Sequence, residues 1–285
     1  MILTLSEFID SVSINTNAHI CIHDMSGFTS QKPFNLPISQ KIHSAKLCSA
    51  AKSTKNGMKL CFACKALATK KAIRTKEMFC GKCPFKITEI VLPIVYNGSV
   101  CANIYVGNII TDYKEFKENA EKISRITKTD SKKYIKSAYS CEKCSEADIE
   151  KYIKIAKSIN SYVLLLFKTY GFTTASHSHW IVPTFADYAS KYSNCAVSLS
   201  KLSKIYGANP KYAGRIFKKQ MGVSFNSYLN GLRIENAKNL LETTSLKIID
   251  VSLESGFNNV TYFNKIFKEC TGTSPENYRK KLRNG

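Results

Sequence analysis

The hydrophobic positions of this chain change period midway. Residues 19–25, HICIHDM, alternate apolar and polar, the period-2 signature of a strand. CFACKALATKKAIRT (61–75) sets Ala and Leu at helical spacing beneath a basic outer face. TEIVLPIVYNGSVCANIYVGNII (88–110) is two β-rich runs joined at Asn97-Gly98, a strong hairpin signal. From Glu146 to Tyr170, Ile149, Ile153, Ala156, Ile159, Val163 and Leu166 recur every three or four residues and predict one long amphipathic helix. GFTTASHSHW (171–180) is small, polar and aperiodic; it reads as a linker, with His177 and His179 in solvent.

From Ile181 onward there are no strand candidates. Helices are expected over 183–193, 199–206, 210–221, 225–243, 247–255, 259–270 and 275–282. Asn209 is placed to cap a helix whose first residue, Pro210, needs no amide partner, and Ser274-Pro275 repeats the device. Gly207, Gly222, Gly256 and Gly272 mark helix exits. GANPKYAGRIFKKQMG (207–222) resembles GFNNVTYFNKIFKECTG (256–272), and a short helix precedes each copy. A short helix, a Gly turn and a second, basic helix form a helix-turn-helix unit. Phe217 and Phe267 fall on the apolar sides of their helices and belong to the core.

Composition sharpens this picture. A chain of 285 residues accommodates two domains, and 44% hydrophobic residues can build their cores. The net charge of +21 favours a polyanionic partner, nucleic acid first, although the excess of Lys over Arg also fits a general compositional bias. The N-terminus MILTLSEFIDSVS lacks a basic n-region, and the apolar run YVLLLF (162–167) is far short of the roughly 20 residues a bilayer needs. The expected location is cytoplasmic, where paired cysteines are metal-binding or redox-active more often than disulfide-bonded.

Cys61-x-x-Cys64 and Cys80-x-x-Cys83 lie 15 residues apart, a spacing compatible with four-thiolate zinc or an iron–sulfur cluster. Flanking lysines are expected to lower the thiol pKa values. Three readings stay open: a metal site on Cys61, Cys64, Cys80 and Cys83, a thiol-lined sensing pocket without metal, or buried reduced thiols. Cys141 and Cys144 precede the long helix as loop residues or a further metal or redox pair, and Cys195 and Cys270 are expected in the core. His19, His23 and His43 are available as supplementary ligands, with no spacing that singles them out. No Ser/His/Asp set, P-loop or dinucleotide fingerprint points to an enzyme.

The stretches SLSKLSKIYGANPKYAGRIFKKQMGVSFNSYLNGLRIENAKNLL and IIDVSLESGFNNVTYFNKIFKECTGTSPENYRKKL resemble the AraC-type DNA-binding domain over all of 181–285. The resemblance implies seven helices and two helix-turn-helix units whose second helices enter successive major grooves. By position, the first would present Lys211, Gly214 and Arg215 to bases, and the second Val260, Thr261, Asn264 and Lys265. Arg215 suits guanine, Asn264 suits adenine, and Val260 or Thr261 suits a thymine methyl. Gly214 departs from the longer polar residue often found there. Residues 1–170 resemble the PocR-type sensory domain through Cys48, NGMKLCFACKALATKKA and CPFKITEIVLPIVYNGSVCANIYVGNII. That resemblance implies a PAS-like α+β fold and a small-molecule effector, a diol or other simple hydrocarbon derivative. Cys48, Cys61 and Cys83 fall on the family's cysteine positions and are its candidate ligand-binding residues. The PFK run and Gly107-Asn108 depart from its pattern.

The fold expected is therefore an α+β PAS-like sensory domain (1–170), a linker (171–180) and an all-α double helix-turn-helix domain (181–285). The function expected is an effector-controlled transcription activator of double-stranded promoter DNA. It would be homodimeric and engage RNA polymerase, with the helix over 146–170 and the linker passing the signal. The alternatives are a cysteine-based metal or redox sensing regulator and, remotely, a methyl-accepting DNA repair protein.

Overall fold

The computed structural model describes residues 2–172 and 180–284. The first part runs α1 (Leu5–Ser13), β1 (His19–Asp24), α2 (Ile38–Lys41), α3 (Lys46–Ala51), α4 (Lys55–Thr75), β2 (Phe79–Lys82), β3 (Thr88–Tyr96), β4 (Ser99–Ile110), α5 (Tyr113–Thr127), α6 (Ser131–Ser137), β5 (Glu142–Lys143) and α7 (Ile149–Tyr170). The sheet order is β1-β4-β3-β2, antiparallel, with β5 parallel beside the end of β4. Asn97 and Gly98 carry φ of 49° and 75°, so the β3–β4 turn twists with its strands, as the Asn-Gly pair predicts.

Alternation on β1 divides two environments. Ile20 and Ile22 join Ile90, Ile94, Ala102, Ile104 and Val106 in a core covered by α1 and α7. Cys21 turns to the other face, where Val91 and Tyr105 meet Ala72 of α4. Helix α7 buries Ala156, Ile159, Val163 and Leu166 as its periodicity predicts, with Ile149 and Ile153 at the edge of the same core.

The second part holds α8 (Ile181–Lys191), α9 (Leu199–Ile205), α10 (Pro210–Met221), α11 (Phe225–Thr243), α12 (Ile248–Glu254), α13 (Val260–Thr271) and α14 (Pro275–Asn284). All seven expected helices form, with ends displaced by at most two residues. The caps account for this accuracy. Asn209 Oδ1 accepts from the amides of Lys211 (2.9 Å) and Tyr212 (3.2 Å), and Asn259 Oδ1 accepts from Tyr262 (2.9 Å). Helix α11 serves two cores. Phe225 and Leu229 pack with α8–α10, whereas Ile234, Ala237 and Leu241 pack with α12 and α13.

The two parts share one core. Ile42, Met58 and Phe62 of the first join Trp180, Phe185, Tyr188 and Tyr206 of the second. Trp180, expected in the linker, is instead a buried anchor. Its backbone and Cβ lie so close to Gly27 (φ 91°) that a Cβ on that glycine would stand 3.1 Å from Trp180 Cβ. The rest of the expected linker from 173 to 179, including His177 and His179, lies outside the described residues. Among the described residues no helix is long and apolar enough to cross a membrane.

Candidate effector pocket and DNA-reading helices

One face of α4 carries Cys61, Cys64 and Lys65, because residues three and four apart on a helix are neighbours. That face meets Leu47, Cys48 and Ala51 of α3, the turn from Cys83 to Ile87, and Glu89 of β3 around a cavity of about 30 Å³, which His43 also lines. Its walls are largely apolar, and its free space has room for about two water-sized groups. The turn is held by Cys83 N–H to Ile87 O (2.9 Å) and Lys86 N–H to Cys83 O (2.8 Å), and Tyr134 Oη donates to Phe85 O (2.8 Å).

Glu89 is the polar centre of this site. Lys65 Nζ donates to one carboxylate oxygen and His43 Nδ1 lies 3.1 Å from the other. Burial alone would raise the Glu89 pKa, but the Lys65 ammonium and His43 outweigh it and hold the carboxyl well below the usual range. Burial, reinforced by Lys65, lowers His43 to about 3, so its imidazole is neutral. Gly107 on β4 gives Glu89 its room, since a Cβ there would come within 3.0 Å of the Glu89 side chain.

The thiols divide differently from the sequence expectation. Cys48, Cys61, Cys64 and Cys83 share the cavity, whereas Cys80 is exposed and lines a separate groove with Lys82, Thr88, Thr111, Glu146 and Ile149. The cause is strand alternation: Phe79 packs toward α4, so Cys80 points the other way. The four thiols of the two Cys-x-x-Cys pairs therefore do not converge on one zinc ion or cluster in this arrangement. The flanking lysines do not set the thiol pKa values either. Burial pushes Cys48 and Cys64 up to about 11 and also raises Cys83 well above the usual thiol range. Cys141 is buried and donates to Asn108 Oδ1 (3.1 Å), Cys144 is half-buried, and Cys270, expected in the core, is exposed.

The cavity wall is bonded to the second part of the chain. Lys52, which ends α3, is buried and donates through Nζ to His43 O and to Tyr192 Oη. Tyr192 Oη also donates to His43 O (2.7 Å), and Cys195 Sγ donates to Lys52 O (3.4 Å). From there Arg233 of α11 donates through Nε to Ser193 O (2.8 Å) and through Nη2 to Cys195 O (3.1 Å). Gly256, in the turn between α12 and α13, sits against the same loop; a Cβ there would lie 2.6 Å from Ser193 O. Sequence reasoning singled out none of Lys52, Glu89 or Tyr192. Helix α7, expected to carry the signal, packs on β3, β4 and α1, while α4 makes the broad contact with α9.

The two expected reading helices present their polar residues outward. Lys211 and Arg215 are exposed on α10 beside Lys218 and Lys219. Arg215 lies 5.5 Å from the ring of Tyr212. Gly214 faces Leu199, which a Cβ would meet at 3.7 Å. Thr261, Asn264 and Lys265 are exposed on α13; Val260 packs at the edge of the second core, and Lys265 Nζ lies 3.9 Å from Glu269.

An α+β sensor joined to two helix-turn-helix units defines a DNA-binding transcription regulator rather than an enzyme. Residues 2–166 match the family described as the sensory domain found in PocR, and residues 202–281 match a helix-turn-helix domain family of AraC type. The chain belongs to the AraC-type regulators that carry a PocR sensory domain. It is similar to the HTH-type transcriptional regulator YijO of Escherichia coli, 33% identical over 107 residues that make up 38% of each chain. It is 39% identical to the arabinose operon regulatory protein of Escherichia coli over 71 residues, 25% of this chain and 24% of that one. The chain thus spans well under half the length of these relatives. Among solved structures it is similar to the C-terminal domain of AraT, a response regulator from Geobacillus stearothermophilus (30% identity, 37% of this chain, 88% of that one, TM-score 0.35).

Proposed function

We propose that a compact hydroxylated small molecule, of the diol class, binds in the Cys48–Cys61–Cys83 cavity and controls how the first helix-turn-helix unit is held. One observation carries this reading: the segment from His43 to Lys52 both lines the cavity and hydrogen-bonds to Tyr192 and Cys195. A guest that shifts α3 or His43 therefore changes bonds that reach the DNA-reading part. The ligand acts only through its different affinities for the two arrangements. Glu89 and Lys65 are the polar groups that orient a guest in an otherwise apolar cavity. The output is activation through RNA polymerase, and the regulator is a homodimer on paired sites, since linked sites add avidity.

The test uses the full chain and DNA from upstream of its own gene. Small diols are screened by thermal shift, and a hit is titrated while promoter affinity is followed by fluorescence anisotropy. The expected coupling is about 5- to 150-fold in affinity. Tyr192→Phe retains the thermal shift and loses most of that coupling. A ligand that raises Tm yet leaves promoter affinity unchanged in the unaltered protein overturns the reading.

A further inference from the structure

A second cluster lies behind the effector cavity, on the face of β1 turned toward the first helix-turn-helix unit. Cys21, His23 and His43 are 0%, 1% and 4% exposed. One ligand atom from each lies within 4.8 Å of the others, and among the described residues no other group of three His, Cys, Asp or Glu does so. Neither ring nitrogen of His23 has a hydrogen-bond partner, and His43 Nε2 has none. Buried polar atoms are nearly always paired, and each neutral imidazole keeps one lone pair, so one nitrogen of His23 and Nε2 of His43 beside the Cys21 thiol ask for an acceptor of those two lone pairs.

The surrounding groups prepare those lone pairs. His43 Nδ1 faces the Glu89 carboxylate at 3.1 Å, which places the ring proton on Nδ1 and leaves Nε2 free to ligate. A carboxylate behind a ligating histidine fixes the ring's tautomer and orientation and raises its basicity. Lys65 holds Glu89 in turn. The ring of His23 stands 4.9 Å from that of His43 at 90°, and 5.1 Å from that of Tyr206 at the end of α9.

We propose that Cys21, His23 and His43 bind a zinc-class divalent ion at the boundary between the sensor and the first helix-turn-helix unit. One thiolate and two imidazoles are borderline-soft donors that suit zinc over magnesium or calcium, and three protein ligands leave a fourth position for solvent. Binding forms one metal–sulfur and two metal–nitrogen bonds. The Cys21 thiol proton leaves to solvent, and no electron is transferred. The ion would tie β1 to the segment that begins at His43, beneath Tyr206. The site uses none of the three Cys-x-x-Cys pairs and does not depend on an organic effector.

The experiment takes the full chain, strips it with a chelator under reducing conditions and titrates it with Co(II), whose sulfur-to-metal absorption reports bound thiolates. One ion per chain with the intensity of a single thiolate is expected. Cys21→Ser abolishes the band, whereas the Cys64→Ser/Cys80→Ser double variant keeps it. A band with the intensity of several thiolates, a band lost in the double variant, or no uptake by the folded unaltered chain would each overturn the assignment. Should Cys21→Ser fail to fold, the band intensity of the unaltered protein decides alone. The diol titration is scored separately, so failure of either site is distinguishable from failure of the other.

Discussion

Glu89 shows how much of the sensor rests on one side chain. It is the acceptor for Lys65 and His43 in a nearly dry setting, and Gly107 keeps the space for it. Glu89→Gln leaves Lys65 buried without a counter-charge and should destabilise the protein by about 3–5 kcal/mol in urea unfolding. Adding Lys65→Met should return most of that loss, because a buried pair replaced as a whole leaves no orphan charge. The cavity thiols make a second prediction. With Cys48 and Cys64 at about 11, their thiolate fractions at neutral pH are small and rise as pH climbs. Mass-resolved alkylation should find them about tenfold or more slower than exposed Cys270 near neutrality, with the gap narrowing at alkaline pH. On the DNA side, Arg215→Ala should cost roughly 1–3 kcal/mol on a cognate site and relax preference at one base pair. A loss equal on all sequences would instead give Arg215 to a phosphate.

At the scale of elements, α4 belongs to two assemblies at once. Its Cys61, Cys64 and Lys65 face the thiol-lined cavity, while Met58 and Phe62 enter the core shared with α8 and α9. Phe62→Ala should remove about 3–5 kcal/mol from that shared core. Differential scanning calorimetry should show a single transition in the unaltered chain and separate sensor and DNA-binding transitions in the variant. The same double duty explains what the sequence did and did not disclose. The helices after 181 were legible because most carry their own punctuation, Asn209-Pro210 and Ser274-Pro275 among it, and short-range signals need no knowledge of the rest. The β3–β4 hairpin was legible at Asn97-Gly98 for the same reason. The partition of the thiols was not: Cys-x-x-Cys spacing is a one-dimensional pattern, and on β2 the strand alternation turned Cys80 away from Cys83. Glu89 left only a faint trace, the lone acid at the head of an apolar strand. The alternation His19, Cys21, His23 was visible in HICIHDM, but His43 joins it only through the tertiary fold.

Across the whole molecule, charge and connectivity act together. With a net charge of +21, promoter affinity should fall steeply with salt, giving a linear plot of log affinity against log salt with a slope near −0.9 per phosphate neutralised. Lys211→Gln should flatten that slope by about one if the side chain meets a phosphate, and leave it unchanged if it reads a base. Helix α11 sets a different kind of limit. Its 19 residues span about 28 Å, close to the roughly 34 Å between successive major-groove faces of a duplex. Because its first turns belong to one core and its last turns to the other, the two helix-turn-helix units are fixed at the ends of a rigid ruler. One residue inserted between Leu229 and Ile234 would rotate the far unit by about 100° and carry α13 out of phase with its groove. For a site that both units read, the letters are thus free to drift, but the distance between its two stretches is inherited.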